Sequence, residues 1–219
     1  MAFNAKNKVT SLECKTGKGV SNFQWPMRCL IVGSSGSGKT TLVWNIISKN
    51  WIPYKQLYIH APSLDQDIYQ NIIELFDTPE LADELHLSST YDDLPSVDEC
   101  ESGSLIIFDD CMLDKDLQNK IEEYWSRSRP KNISCVYLVQ SLTKIDPRVI
   151  RESSNFLILF RQKREHIIKL IWKDFAQDFT YTEFQEICRE CWRDKHGFLS
   201  IDVDNGKYYN KFIEIERKT

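Results

Sequence analysis

Gly33-Ser34-Ser35-Gly36-Ser37-Gly38-Lys39-Thr40 decides how this chain is read. The stretch satisfies G-x-x-x-x-G-K-[ST], the phosphate-binding P-loop, at every fixed position. Its flanks suit the motif. Arg28-Cys29-Leu30-Ile31-Val32 is a short apolar run of strand type, and Thr41-Leu42-Val43-Trp44-Asn45-Ile46-Ile47 carries apolar residues at helical spacing. The glycines let successive backbone N–H groups curl inward toward an anion. The helix that follows adds its own N–H groups and the positive end of its dipole. On this reading the residues from Gly33 to Thr41 cradle the phosphates, Lys39 reaches the β- and γ-phosphates, and the Thr40 hydroxyl holds a magnesium ion. A Ser/Gly linker would match the pattern by chance, but not between a strand and a helix. The chain is expected to bind a nucleoside triphosphate with Mg2+.

Outward from the loop, strands and helices alternate. Strands are expected at 28–32, 56–60, 104–109, 133–140 and 155–160, and helices at 39–48, 66–76, 115–126, 147–152 and 164–175. This order implies an α/β fold with a mostly parallel sheet and helices on both faces. Residues 78–103 are acidic and contain Pro79, Pro95 and Gly103, and read as a short helix and a loop. Residues 180–195 have an amphipathic spacing. Beyond them two alternating runs flank Asp204-Asn205-Gly206, the turn chemistry of a β-hairpin. The expected organisation is an N-terminal arm (1–24), a P-loop core (25–177) and a C-terminal helix with hairpin (178–219) packed on that core.

With 219 residues the chain is long enough for one α/β domain with a buried sheet. No apolar run approaches the roughly 18 residues of a membrane helix, and the N-terminus lacks the apolar region of a secretory signal. Seven scattered cysteines, mostly within apolar runs, suit reduced thiols in an intracellular compartment. The net charge of −4 argues against a protein that coats DNA by charge alone. Nucleic-acid contact would have to be local or assembled from several subunits. The segment 144–169 is the richest in basic residues, and fits a solvated surface as well as a DNA-facing one.

A P-loop needs an acid at the end of a neighbouring strand to hold magnesium. Leu105-Ile106-Ile107-Phe108-Asp109-Asp110 supplies two carboxylates after an apolar strand, a costly arrangement unless a cation or hydrogen bonds compensate. Asp109 is assigned to the magnesium shell. Asp110 falls where many such hydrolases carry a glutamate that polarises the attacking water; a helix N-cap is the alternative for both. Gln140 ends the apolar run from Ile133, where strand ends converge on the ligand crevice. Its amide could sense the γ-phosphate or merely cap the strand.

The ordered set GSSGSGKT, LIIFDD and SRSRPKNISCVYLVQSLTKIDPRVIRESSNFLILF resembles the genome-packaging ATPases of the FtsK/HerA superfamily, most of all the poxvirus-type branch shared by large DNA viruses, virophages and Maverick/Polinton-type elements. The resemblance spans roughly residues 25–175, and its most specific part is Gln140 followed by Arg151-Glu152-Ser153-Ser154-Asn155 and the apolar run to Phe160. It departs at Asp110, where the family carries Glu. The resemblance implies a RecA-like core that hydrolyses ATP, forms a homo-oligomeric ring (hexamer or pentamer) on double-stranded DNA and works with a capsid or portal component at the site of virus assembly, in cytoplasm or nucleus. It also implies an arginine from the neighbouring subunit beside the γ-phosphate, a contact worth about 10³–10⁵ in rate. Arg127 and Arg129 are preferred, since they lie in a segment similar to the family's and show no obvious local carboxylate partner. Arg148, Arg151 and Arg161 follow.

Other signals are weaker. Cys188 and Cys191 form a C-x-x-C with His196 nearby, but a zinc site usually needs a second pair, so core packing is the expectation. His60 ends a strand and reads as structural, and Trp44 as core. Two other functions compete with the motor: a P-loop nucleoside or nucleotide kinase, and a nucleotide-binding switch without motor activity.

Overall fold

A computed structural model of the protein describes residue 23, residues 25–111 and residues 115–216. The expected arm at 1–24 lies outside these apart from Phe23. That residue is buried, with its ring centroid 5.2 Å from that of Phe156, so it belongs to the core and not to an arm.

Apolar strands and amphipathic helices alternate as β1 (Arg28–Val32), α1 (Lys39–Ser48), β2 (Leu57–His60), α2 (Asp67–Phe76), β3 (Leu85–Ser88), β4 (Leu105–Asp109), α3 (Lys115–Arg127), β5 (Ser134–Val139), β6 (Phe156–Phe160), α4 (Glu165–Phe175), α5 (Tyr181–Cys191), β7 (Phe198–Asp202), β8 (Lys207–Asn210) and β9 (Ile213–Glu214). They form one sheet in the order β3-β2-β4-β5-β1-β6-β7-β8-β9. The first six strands in that order run parallel, and β7, β8 and β9 continue antiparallel.

Helices cover both faces, which is why β4, β5 and β6 are buried along their whole length and read as unbroken apolar runs. Side chains alternate between two cores. Cys29, Ile31, Ile59, Ile107, Leu138 and Ile158 pack under α1 and α2. Leu30, Val32, Phe108, Tyr137, Leu159 and Leu199 pack under α3, α4 and α5.

The acidic crossing departs from expectation. It contains a one-turn 3-10 helix at Ala82–Glu84 and then β3, which pairs with β2 through Leu57↔Leu85 and Ile59↔Leu87. Two leucines in an acidic setting are too weak a period to reveal a strand; the backbone of β2 supplies what they lack. The region 147–152 is a single π turn at Pro147–Arg151, begun by Asp146, whose side chain accepts from the N–H groups of Arg148 and Val149. The C-terminal hairpin forms as expected, with Asp202 accepting from the backbone and side-chain amides of Asn205 in its turn. It is not a separate unit, because β7 pairs with β6 and extends the main sheet.

Candidate functional site

The sheet order builds the site. β5 lies between β4 and β1, so Val32 pairs with Val139 and Asp109 with Leu138. The three chain segments that leave these strands therefore emerge side by side: the P-loop after β1, Asp110 after β4 and Gln140 after β5. All sit at the carboxyl edge of the parallel strands, where ligands bind in such sheets.

The loop is anchored by the Gly33 N–H, which donates to the Val139 carbonyl at 3.0 Å. A Cβ on Gly33 would lie 2.5 Å from Ser37 Oγ and 2.8 Å from Phe160 Cβ, so only glycine fits there. Gly38 caps α1 at φ 105°, a left-handed conformation that side chains resist. It offers no side chain to the first-turn N–H groups, a place an anion can take. Lys39 Nζ donates to the carbonyls of Gly33 (2.8 Å) and Ser34 (3.2 Å), arched over its own loop. Burial lowers its pKa, opposed by the negative charges of Asp109 and Asp110. Ser37 Oγ is buried with no hydrogen-bond partner among the described residues, an orphan atom inside the cradle.

Asp109 is 8 % exposed. It accepts from Thr40 Oγ1 at 3.2 Å and from Tyr69 OH at 2.6 Å. Burial raises its pKa, and the hydrogen bond from Tyr69, the charge of Lys39 and the hydrogen bond from Thr40 oppose the rise. Among the described residues no three His, Cys, Asp or Glu side chains group as a metal site. Thr40 and Asp109 alone would leave a divalent ion short of ligands, which phosphate oxygens and water complete in the manner usual for Mg2+. The donor set fits that ion only in company with a nucleotide.

Asp110 follows at φ 54°, again left-handed. This turn lifts its exposed carboxylate out of the sheet edge, where it accepts from Gln140 Nε2 at 3.0 Å. Asp109, Asp110, Gln140 and the loop share one cleft of about 360 Å³, which also reaches Gln66 and His196. A second cleft of about 550 Å³ begins at Ser34, Asp110 and Gln140 and runs to Lys144, Arg161, Lys163 and Arg164. Part of the basic run thus borders the site.

The structure does not bring Arg127 and Arg129 to this edge. α3 carries them back to the amino edge of the sheet, where Arg28 at the start of β1 donates to the Trp125 carbonyl. They stand a strand length away from their own P-loop, about 16 Å at 3.3 Å per residue. Contact with a γ-phosphate in the same subunit is thereby excluded. The expectation that neither has a local carboxylate partner fails for Arg127, which is paired with Asp98 at 2.5 Å and with Glu123. Arg129 is exposed, with no ion pair among the described residues. Arg151 is paired with Asp174 at 2.8 Å, whereas Arg161 lines the second cleft.

Cys188 and Cys191 are buried among Phe184 and Trp192, and burial pushes the Cys191 thiol up to about 12. His60 is buried against Ser88, with Nδ1 2.8 Å from its Oγ. Three residues of the site were not expected from sequence. Tyr69 lies on α2 and Gln66 just before it. His196 lies in the loop between α5 and β7, with Nδ1 3.0 Å from the Ser37 carbonyl. An amphipathic helix makes Tyr69 look like core, and nothing local marks His196.

The fold has close counterparts among solved structures. The genome packaging NTPase B204 from Sulfolobus turreted icosahedral virus 2 in complex with AMPPCP superposes with a TM-score of 0.59 at 14% identity, over 84% of this chain and 96% of that one. Its sulfate complex gives a TM-score of 0.58 at 14% identity, over 84% and 95%. The DNA-packaging ATPase B204 from Sulfolobus Turreted Icosahedral Virus gives 0.57 at 14% identity, over 83% and 94%. Such identities speak for the fold. No curated protein matches the sequence significantly. The sequence model of the poxvirus A32 protein family matches residues 20–175, from before β1 to the end of α4. The chain belongs to the poxvirus A32 protein family.

Proposed function

We propose that this protein is a viral DNA-packaging ATPase, coupling Mg2+-dependent ATP hydrolysis to the movement of double-stranded DNA into a capsid. The observation that carries the reading is the convergence of Lys39, Thr40 and Asp109 beside the Gln140–Asp110 pair, in a chain of this family. Lys39 leaves its loop carbonyls for the β- and γ-phosphates. Thr40 and Asp109 would hold magnesium, which supplies charge neutralisation at the phosphates. Asp110 orients the attacking water and accepts its proton, and the Gln140 amide aims that carboxylate. Residues 25–177 form the ATPase core, and the described residues 178–216 pack on it and extend its sheet through β7.

The site is open on its outer side, and the chain acts as a homo-oligomeric ring that brings Arg129 of a neighbour to the γ-phosphate. The second, basic cleft faces the same opening, where duplex DNA, a capsid or portal component or the neighbour is met. Among the described residues no helix is long and apolar enough to cross a membrane; the work is placed at the assembly site of the infected cell. Family and fold favour this motor over a nucleoside kinase.

The test is phosphate release from Mg·ATP by the full chain, with and without double-stranded DNA. Hydrolysis stimulated by DNA and abolished in Lys39→Ala is expected. Phosphate transfer to a nucleoside with no response to DNA would favour the kinase.

A further inference from the structure

We infer that the nucleoside of the bound triphosphate occupies a subsite of its own, walled by His196 and floored by Phe160 and Phe198. This rests on the triphosphate reading of the P-loop and adds where the base goes. The polarity of the ligand follows from the site. Thr40, Asp109, Asp110 and Gln140 gather at one end of the loop, so the γ-phosphate belongs there. The other end of the phosphate chain must then leave past Thr41, on the first turn of α1. A cavity of about 250 Å³ opens at that point, lined by Thr41, Leu42, Asn45, Phe160, His196 and Phe198. Thr41 and His196 line both this cavity and the phosphate cleft, so the two are continuous.

The linings differ in chemistry. Lys39, Asp109, Asp110, Ser35 and Thr40 line the phosphate cleft. The second cavity is lined by two phenylalanines, a leucine, an imidazole, the Thr41 hydroxyl and one amide, with no carboxylate or ammonium group. An exposed imidazole beside a buried apolar floor suits a nucleobase, whose face stacks on the His196 ring above Phe160 and Phe198. Phe160 and Phe198 are paired across β6 and β7, with ring centroids 5.2 Å apart, and are almost wholly buried, so the floor is rigid. His196 is exposed yet held. Its Nδ1 is 3.0 Å from the Ser37 carbonyl, and a carbonyl only accepts, so Nδ1 carries the proton and the ring is fixed against the loop. A Cβ on Gly38 would lie 3.4 Å from that nitrogen, so loop and imidazole are in close contact. The wall of the base site is thus supplied by the C-terminal segment, 159 positions from the P-loop residue that it touches.

The experiment compares two ligands by equilibrium titration with Mg2+ on the full chain: ATP, and inorganic tripolyphosphate, which has no nucleoside. His196→Ala is expected to weaken ATP about tenfold, within the range of a lost base–aromatic stack, and to leave tripolyphosphate within about twofold. His196→Phe keeps a ring but cannot bond Ser37, and is expected to restore ATP affinity. Lys39→Ala should weaken both ligands; if it weakens neither, the phosphate reading fails independently of the histidine result. The subsite is overturned if His196→Ala weakens both ligands equally or neither. It is also overturned if His196→Phe is as impaired for ATP as His196→Ala, since the histidine then acts through the Ser37 hydrogen bond.

Discussion

Tyr69→Phe tests the electrostatics of the acid strand with the smallest possible change. Tyr69 is 1 % exposed and its hydroxyl donates to Asp109 Oδ2 at 2.6 Å. The ring fills the core beneath α2, and phenylalanine keeps that packing. What disappears is one hydrogen bond to a charged acceptor in a nearly dry setting, worth about 1.5–3 kcal/mol. The bond stabilises the ionised carboxylate and not the neutral one, so its loss raises the Asp109 pKa further above its ordinary value. At 1.36 kcal/mol per unit, the rise is about 1–2 units. Two readouts follow. Affinity for Mg·ATP falls as Asp109 becomes protonated, so the acid limb of its pH profile moves up by about 1–2 units in the variant. Stability obeys the same linkage. The Tyr69 contribution is present above the Asp109 pKa and lost as pH falls through it, so the two proteins differ at neutral pH and converge in acid. At neutral pH the melting temperature drops by about 2–4 °C for each kcal/mol lost in a chain of this size. Coincident acid limbs in wild type and variant, or a stability gap that is the same at every pH, would refute the assignment of this hydroxyl as the support of Asp109.

Three further outcomes are expected. Lys39→Ala should lose ATP turnover by at least 10²-fold, the scale of removing one donor to a developing charge, while circular dichroism and melting stay near wild type because its two bonds reach only loop carbonyls. Asp110→Asn should bind ATP but hydrolyse it about 10²–10⁴-fold more slowly; a wild-type rate would make Asp110 structural. Mixing Lys39→Ala subunits with Arg129→Ala subunits should recover part of the ATPase activity that each lacks alone, because some interfaces then pair an intact loop with an intact arginine. Co-assembled mixtures no more active than either parent would remove Arg129 from the site.

Much of the fold was legible because its signals are local. The P-loop glycines, the apolar runs of β1, β4, β5 and β6, and the Asp-Asn-Gly turn each declare themselves within a few residues. The strand-end positions of Asp109, Asp110 and Gln140 could likewise be read from where apolar runs stop. β3 was not legible, since its two leucines become a strand only against β2.

The sequence by itself therefore determined the glycine-rich loop, the strand ends that carry Asp109, Asp110 and Gln140, and the alternating α/β order, because backbone conformation and hydrophobic period are encoded in neighbouring residues. Tertiary structure alone decided which distant side chains meet. It placed Tyr69 on Asp109 across 40 positions and His196 on Ser37 across 159, and it tied Arg127 to Asp98 across 29. Those pairings depend on strand order, which puts β5 between β4 and β1 and carries α3 back to the opposite edge. Strand order is a property of the packed sheet as a whole, set by which faces can be buried together, and no local stretch of the chain contains it.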